Sequence, residues 1–456
     1  MKQVRLVLAV LTLLFCLPSL AFAQDYEAEL EASVTDYADE GEFSGQTINV
    51  ACRRLAPMDY IQSQSELFES YTGLEINFTN YPENELRSQL VTDASNRAGG
   101  FDVYCLDGNY VPLFANNGWV RSIGADITEP YELEDISESL RGLYSWQGGL
   151  YGLPIYSEAT IMYYRKDLLE AAGLEVPQTM DEFEAAAEAL NDPPRVFGVA
   201  LRGLRGEGMN VYTWTGWLRS YGGIFLDPEM NPAFNSAEAV EATERYSSLI
   251  NNFGVPGSGA WGWPEVSSAF ASGRVAMIVE STAFYPTFND TAQSNVVGSV
   301  GYAVVPEGPF GRFPANYSIG LAVPATVSDE ATYEAVLAFL QWATSQELEF
   351  ARTDAGIGNQ SRISVSESEL LSSQLDPGYI AAVNESNEIT RPEYRPLIPQ
   401  WREMGDIIGE EIGIVFTGGK SAADALASAE ARVRTVFEEA GVLGTPRPVD
   451  EVFSDR

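Results

Sequence analysis

Three acids stand where an α/β chain exposes chemistry. Asp107 follows an apolar run at 101–106, Glu280 follows another at 275–279, and Glu158 falls in a polar break between 153 and 164. Paired carboxylates at suitable separation hydrolyse glycosidic bonds. Singly, a carboxylate accepts strong hydrogen bonds from ligand hydroxyls. Each acid also has a plainer reading. Asp107 beside Gly108 can cap a turn, Glu158 can sit in a salt bridge, and Glu280 can be a solvated acid. Aromatic side chains supply the other half of sugar recognition, because their faces lie against apolar C–H faces. Trp261 and Trp263 bracket a glycine in the loop GSGAWGWPE, where large rings are poorly explained as core. Tyr317 is a further candidate. Arg53 and Arg54 follow the first expected strand and can reach ligand oxygens or form salt bridges.

The residue types that are missing exclude more than these suggest. The 456-residue chain has no histidine. Ser-His-Asp and Cys-His nucleophile systems are therefore excluded, as are histidine-ligated zinc and iron sites. There is no GxxxxGK[ST] phosphate loop, nor a GxGxxG between strand and helix. No cofactor is expected. Asp and Glu number 65 against 27 Lys and Arg, a net charge of −38. That charge argues against nucleic acid and anionic membranes as partners. It fits a surface kept soluble in concentrated salt, where screening weakens self-repulsion.

The N-terminus reads as a signal peptide over 1–23. Lys2 and Arg5 precede an apolar run too short to span a bilayer, and Ala21-Phe22-Ala23 fits a small-x-small cleavage site. Cleavage is expected after Ala23, giving a periplasmic protein. Residues 24–43 are acidic and poor in apolar side chains, as in a disordered linker or a frayed helix. Cys52 and Cys105 remain after cleavage. They end the expected strands 48–52 and 101–106, which neighbour each other in a doubly wound sheet. They form a disulfide or remain two buried thiols.

The elements that must position these groups alternate. Strands are expected at 47–51, 74–78, 101–106, 197–201, 275–279, 302–305 and 319–323, with helices between them. Thr179 and Glu182 make a capping box for a helix over 181–190. The pattern indicates β-α-β units and mostly parallel sheets. About 400 residues exceed one core and require two domains. The stretch RPEYRPLIP (391–399) reads as a packed surface loop.

The order of several segments is specific. FDVYCLDGNYVPLFANNGWV is followed by YGLPIYSEATIMYYRKDLLEAAGL, then WTGWLRSYGG, SSAFASGRVAMIVE, SIGLAVP and GIGNQSRISV. This succession, over about 46–445, resembles the carbohydrate-binding family 1 of bacterial extracellular solute-binding proteins, typified by the maltose-binding protein. The resemblance implies two α/β lobes, each a mostly parallel sheet flanked by helices, with a cleft and hinge between them. The first lobe would hold 44–156 plus 305–356, and the second 157–304 plus 357–450. The chain would cross between them as a strand, a polar turn at Ser157 and Glu158, and a second strand. It further implies a monomeric, non-enzymatic protein that captures a mono- or oligosaccharide and passes it to the permease subunits of an ABC importer. Glu158 matches a sugar-binding acid, and Glu280 ends a family-like AMIVE. Tyr212, Trp214 and Trp217 fall in a region that lines the cleft in relatives. Phe284 and Tyr285 fall near a stacking aromatic, and Arg362 matches a recurrent arginine near the second hinge. The cleft tryptophans do not align one for one with the maltose-binding protein, so the sugar need not be maltose. Two other readings stand beside this one. The same fold could bind a polyol, a compatible solute or a metal, and Asp107, Glu158 and Glu280 could supply a glycoside hydrolase pair.

The charge makes its own prediction. Unfolding midpoints are expected to rise between low and molar salt, and no gain in stability would contradict adaptation to a saline medium.

Overall fold

A computed structural model describes residues 25–446. The expected signal segment 1–23 and its cleavage site lie outside them, as do 447–450 of the expected second lobe. Eight strands carry the architecture: β1 (Thr47–Cys52), β2 (Glu75–Asn80), β3 (Val103–Asp107), β4 (Leu153–Arg165), β5 (Phe197–Ala200), β6 (Val275–Ser281), β7 (Val300–Val304) and β8 (Asn316–Ala322). They hydrogen-bond in the order β2-β1-β3-β8-β4-β6-β5, with β7 also on β4. The outer pairs β1–β2, β1–β3 and β5–β6 are parallel, and pairs involving β4 or β8 are antiparallel.

Strand β4 joins the two halves. Residues up to Ala159 pair with β8, and residues from Thr160 onward pair with β6. The expected turn at Ser157 and Glu158 is therefore one continuous 13-residue strand. These two polar residues mark the point where the strand changes sheet, not a break in it. Each half is covered by helices and has its own apolar core. One runs from Leu30 through Tyr156 and resumes at Ile319–Ala351. Two further clusters draw on 161–305 and on 379–437, and a small fourth joins Tyr212, Ala315 and Tyr394.

These cores place the switches later than 157, 305 and 357. Val305 still packs in the second core. Residues 307–312 hold on to Gln178, Ser220 and Glu385 of the second half. The amides of Ser361 and Arg362 donate to the carboxylate of Glu349, and that of Ser364 donates to Asp135, all in the first half. Leu375 is the first residue back against the second.

The acidic segment is not a linker. Asp25 caps a helix, Tyr26–Ser33, by accepting from the Ala28 amide. Tyr26, Leu30 and Val34 recur every four residues and so share one helix face. Leu30, Val34 and Phe43 are at most 3% exposed, and Tyr26 stacks on Phe350 with ring centroids 5.4 Å apart. The stripe is narrow, but the helix Gln346–Asp354 supplies the surface that covers it.

The capping box of Thr179 and Glu182 opens a helix at Met180–Ala189. Cys52, at the end of β1, and Cys105, within the adjacent β3, form a disulfide with Cα atoms 4.9 Å apart. A tie of this kind contributes about 2–4 kcal/mol.

Deleting residues 25–43 is expected to lower the melting temperature, since fully burying a large apolar side chain contributes about 1.5–3 kcal/mol. A truncated protein that melts with the full chain would contradict the packing described here.

Candidate functional site

Strand direction brings the polar groups together. The carboxyl ends of β1, β2, β3, β5 and β6 face one crevice, where open α/β sheets hold their ligands. They deliver Arg53 and Arg54, Tyr81, Asp107, Arg202, and Ser281 with Phe284. Strand β4 adds Tyr156 and Glu158 from its crossing, and β8 adds Tyr317. The crevice is a cavity of about 580 Å³ with walls from both halves, within the range of small-molecule sites.

Five arginines converge here in a chain with only 27 basic residues. Each has a carboxylate. Arg53 meets Glu83 at 2.6 Å, Arg54 meets Asp59 at 2.6 Å, and Arg87 donates from Nε to Asp107 at 2.6 Å. Arg202 grips Glu280 with two bonds of 2.7 and 2.5 Å, and Arg395 meets Glu207 at 2.9 Å. Four of the five arginines are largely buried; Arg54 is exposed. Charges taken out of water need partners of this quality. The charges of these pairs cancel, and their spare N–H and oxygen positions remain as donors and acceptors.

Two acids of the site, one on the cavity wall and one behind it, are shifted in opposite directions. Burial disfavours the charged form of Asp107, but Arg87, Arg53 and the Tyr317 hydroxyl, which donates at 2.5 Å, outweigh it and hold its carboxyl below the ordinary range. Burial pushes the Glu158 carboxyl up, only partly offset by the Ser281 hydroxyl, which donates at 2.6 Å, and by Arg53.

Of the expected site residues, Glu158, Tyr212, Trp263, Phe284 and Tyr317 line the cavity. Trp263 is 36% exposed and lies 5.8 Å from Phe284, ring to ring. Asp107 and Glu280 stand one layer behind, holding Arg87 and Arg202 in place. With both acids locked into ion pairs, neither is free to pair with Glu158 as acid and base for hydrolysis.

Five expected residues are elsewhere. Trp214 is fully buried and donates to Thr243 at 3.0 Å; Trp217 packs between Phe183 and Tyr246. Their helix, Asn210–Ser220, is buried on every side, so the tryptophans face its neighbours while Tyr212 reaches the cleft. Trp261 packs against the third core cluster, and its carbonyl accepts from the Gly203 and Leu204 amides. Arg362 donates to the Thr344 carbonyl at 3.0 and 2.9 Å, closing the end of helix Glu330–Ala343, and lies over Tyr131. Tyr285 accepts from the Asp376 amide near the third crossing.

Arg87, Arg202, Arg395 and Tyr156 join the site without having been expected. Arg202 directly follows an apolar strand, and that position could have marked it. Arg87 lies on the charged helix Glu83–Asn96, where nothing in the sequence sets it apart, and Arg395 lies in the stretch that reads as a surface loop. Among the described residues, no group of three or more His, Cys, Asp and Glu could hold a metal ion.

Comparison with known proteins agrees with this geometry. Residues 55–349 match the family model of the bacterial extracellular solute-binding protein. The chain belongs to that family. A mannitol-binding protein of Pseudomonas aeruginosa is 29% identical over 415 residues, spanning 87% of this chain and 94% of its own. A solute-binding protein of Agrobacterium radiobacter K84, solved in complex with ribitol, superposes with a TM-score of 0.80 at 26% identity, covering 87% of this chain and 100% of its own. One from Agrobacterium vitis S4 with bound D-mannitol gives 0.75 at 25% identity, covering 87% and 99%.

The opposite shifts of these two acids in this solute-binding protein predict opposite responses to substitution. Glu158 keeps its proton to higher pH when folded than when unfolded, so its ionisation weakens the fold as pH rises through that window. Asp107 does the reverse: its contribution is complete above the ordinary carboxylate range and is lost as pH falls toward its depressed value. Glu158→Gln is expected to match or exceed the wild-type urea midpoint at pH 8, with the difference shrinking toward pH 5. Asp107→Asn, which leaves buried Arg87 with only Glu83 at 2.9 Å and Glu207 at 3.8 Å, is expected to be clearly less stable than wild type at neutral pH. A Glu158→Gln protein that is clearly weaker at pH 8 would contradict this assignment.

Proposed function

We propose that the protein captures a neutral polyhydroxylated solute between its lobes, an acyclic polyol before all others, and delivers it to the permease subunits of an ABC importer. The observation that carries this reading is the pairing of every cleft arginine with a carboxylate. An anionic ligand needs unmatched arginines, and a cation needs a surplus of acids around a common centre. A chain of hydroxyls needs neither; it needs alternating donors and acceptors, which guanidinium–carboxylate pairs present in fixed positions. The mannitol-binding and ribitol-bound relatives support the polyol choice.

A cyclic sugar is the second reading. Trp263 and Phe284 favour it, since their faces can take the apolar side of a pyranose ring.

In this proposal the lobes are 25–159 with 316–374, and 160–315 with 375–446. They close by bending β4 and the two other crossings, as hinged binding proteins do. The protein acts as a monomer and is not an enzyme. It works in the periplasm after cleavage behind Ala23, in a saline medium that its charge tolerates.

A thermal-shift screen in molar salt against D-mannitol, ribitol, maltose and ferric iron tests the reading. Ligand at a hundredfold excess over Kd stabilises by about 2.7 kcal/mol. A shift of several degrees with a polyol, larger than with maltose, is expected. A shift with maltose alone would transfer the site to cyclic sugars, and a shift with iron alone would overturn the neutral-ligand reading.

A further inference from the structure

The fold leaves several polar atoms without partners, and three of them belong to side chains that neighbour one another at one corner of the cleft. Native structures keep few such atoms, because an unpaired buried donor or acceptor is unfavourable. Tyr212 is 3% exposed and its hydroxyl is unpartnered; Arg395 is 2% exposed with Nε unpartnered; Asn109 is 3% exposed with Nδ2 unpartnered. They are neighbours. Arg395 donates from Nη2 to Asn109 Oδ1 at 2.6 Å, and its guanidinium lies 5.2 Å from the Tyr212 ring centroid. They come from segments far apart in the chain. Asn109 follows β3 in the first lobe, and Tyr212 lies on a second-lobe helix. Arg395 sits in the loop 391–399, whose Leu397 packs in the first core and Ile398 in the second.

Everything around these three atoms is fixed. Glu207 accepts from Arg395 Nη1 at 2.9 Å and from the Trp401 indole at 3.3 Å. Glycine sets that carboxylate's place: a Cβ on Gly405 would lie 2.6 Å from Glu207 Cβ, and one on Gly409 would lie 2.7 Å from the Gly206 nitrogen. Tyr394 donates to the Tyr212 carbonyl at 2.6 Å, and Arg202 lies 4.7 Å from the Tyr212 ring centroid. The charge of Arg395 is thus already answered and its fork oriented. What remains is hydrogen-bonding capacity for a neutral group.

We propose that Tyr212 and Arg395, which both line the cavity, form a subsite for one ligand hydroxyl and make it a determinant of selectivity. The ligand hydroxyl donates to the Tyr212 oxygen and accepts from Arg395 Nε. Asn109 is a positioning residue that holds Arg395 from the first lobe. The subsite rests on the polyhydroxylated-solute reading above. Because its parts are tied to both lobes, a hydroxyl bound there favours the arrangement in which the lobes meet.

Tyr212→Phe is the discriminating variant, since it removes only the unpartnered oxygen and keeps the ring beneath both guanidiniums. Calorimetric titration with D-mannitol and ribitol is expected to show an affinity about tenfold lower than wild type or worse. The ligand-free melting temperature is expected to be equal or higher. Arg395→Lys keeps a positive charge opposite Glu207 but lacks Nε, and is expected to lose affinity in the same direction. Unchanged affinity in Tyr212→Phe overturns the subsite. If the wild-type protein binds neither probe, the polyol reading fails, and ligand-free melting decides the subsite by itself. A rise in Tyr212→Phe sustains a hydroxyl held in reserve for ligand. A fall shows that the hydroxyl is engaged within the protein, and overturns it.

Discussion

Buried arginine demands a carboxylate, and this requirement organises the cleft. Removing a guanidinium from water is costly unless an anion and further hydrogen bonds replace the solvent. Arg53, Arg87, Arg202 and Arg395 are all largely buried and all answered. Each pairing fixes two side chains at once, so the walls are set before a ligand arrives. The carboxylates doing this work, Glu83, Asp107, Glu207 and Glu280, come from a helix start, two strand ends and a loop. Two of the expected ligand contacts, Asp107 and Glu280, thereby become supports. Glu158 is the exception. Burial raises its carboxyl, and its strongest local help, a serine hydroxyl rather than a guanidinium, offsets this only in part.

The same constraint ties the site to the hinge. Strand β4 passes through both sheets, and Glu158 lies two residues before the point where its partner changes. Arg87 of the first lobe stands 3.8 Å from Glu207 of the second, and Arg395 bridges Glu207 and Asn109. Polar contacts between lobes are easily exchanged for ligand hydroxyls, unlike an apolar interface. A cleft lined this way can open without exposing a core and close by gaining hydrogen bonds.

Much of the fold was legible in the sequence because its signals are local. Apolar runs of four to six residues between periodic helices gave the strands, and Thr179 with Glu182 gave a helix start. The site was legible where position alone decides: Glu158 at the crossing, Tyr317, and Trp263 in a glycine-rich loop. It was not legible where the partner is distant. Arg395 binds residues 188 and 286 positions away, and an arginine between prolines has no periodicity to betray it. Trp214 and Trp217 misled because a ring that stacks on a sugar and one that fills a core have the same spelling; only the surroundings of their helix separate them. The acidic N-terminal segment misled for a related reason, since its apolar stripe becomes meaningful only against the helix that covers it.

Hydrogen exchange of the wild-type protein with and without saturating D-mannitol tests the central claim most directly. Protection is expected on both lobes at once, around residues 53–54, 156–158, 202–212, 281–284 and 395, with the rest of each core unchanged. Protection confined to one lobe, or lying away from these segments, would contradict a ligand held between the lobes by the charge-matched walls.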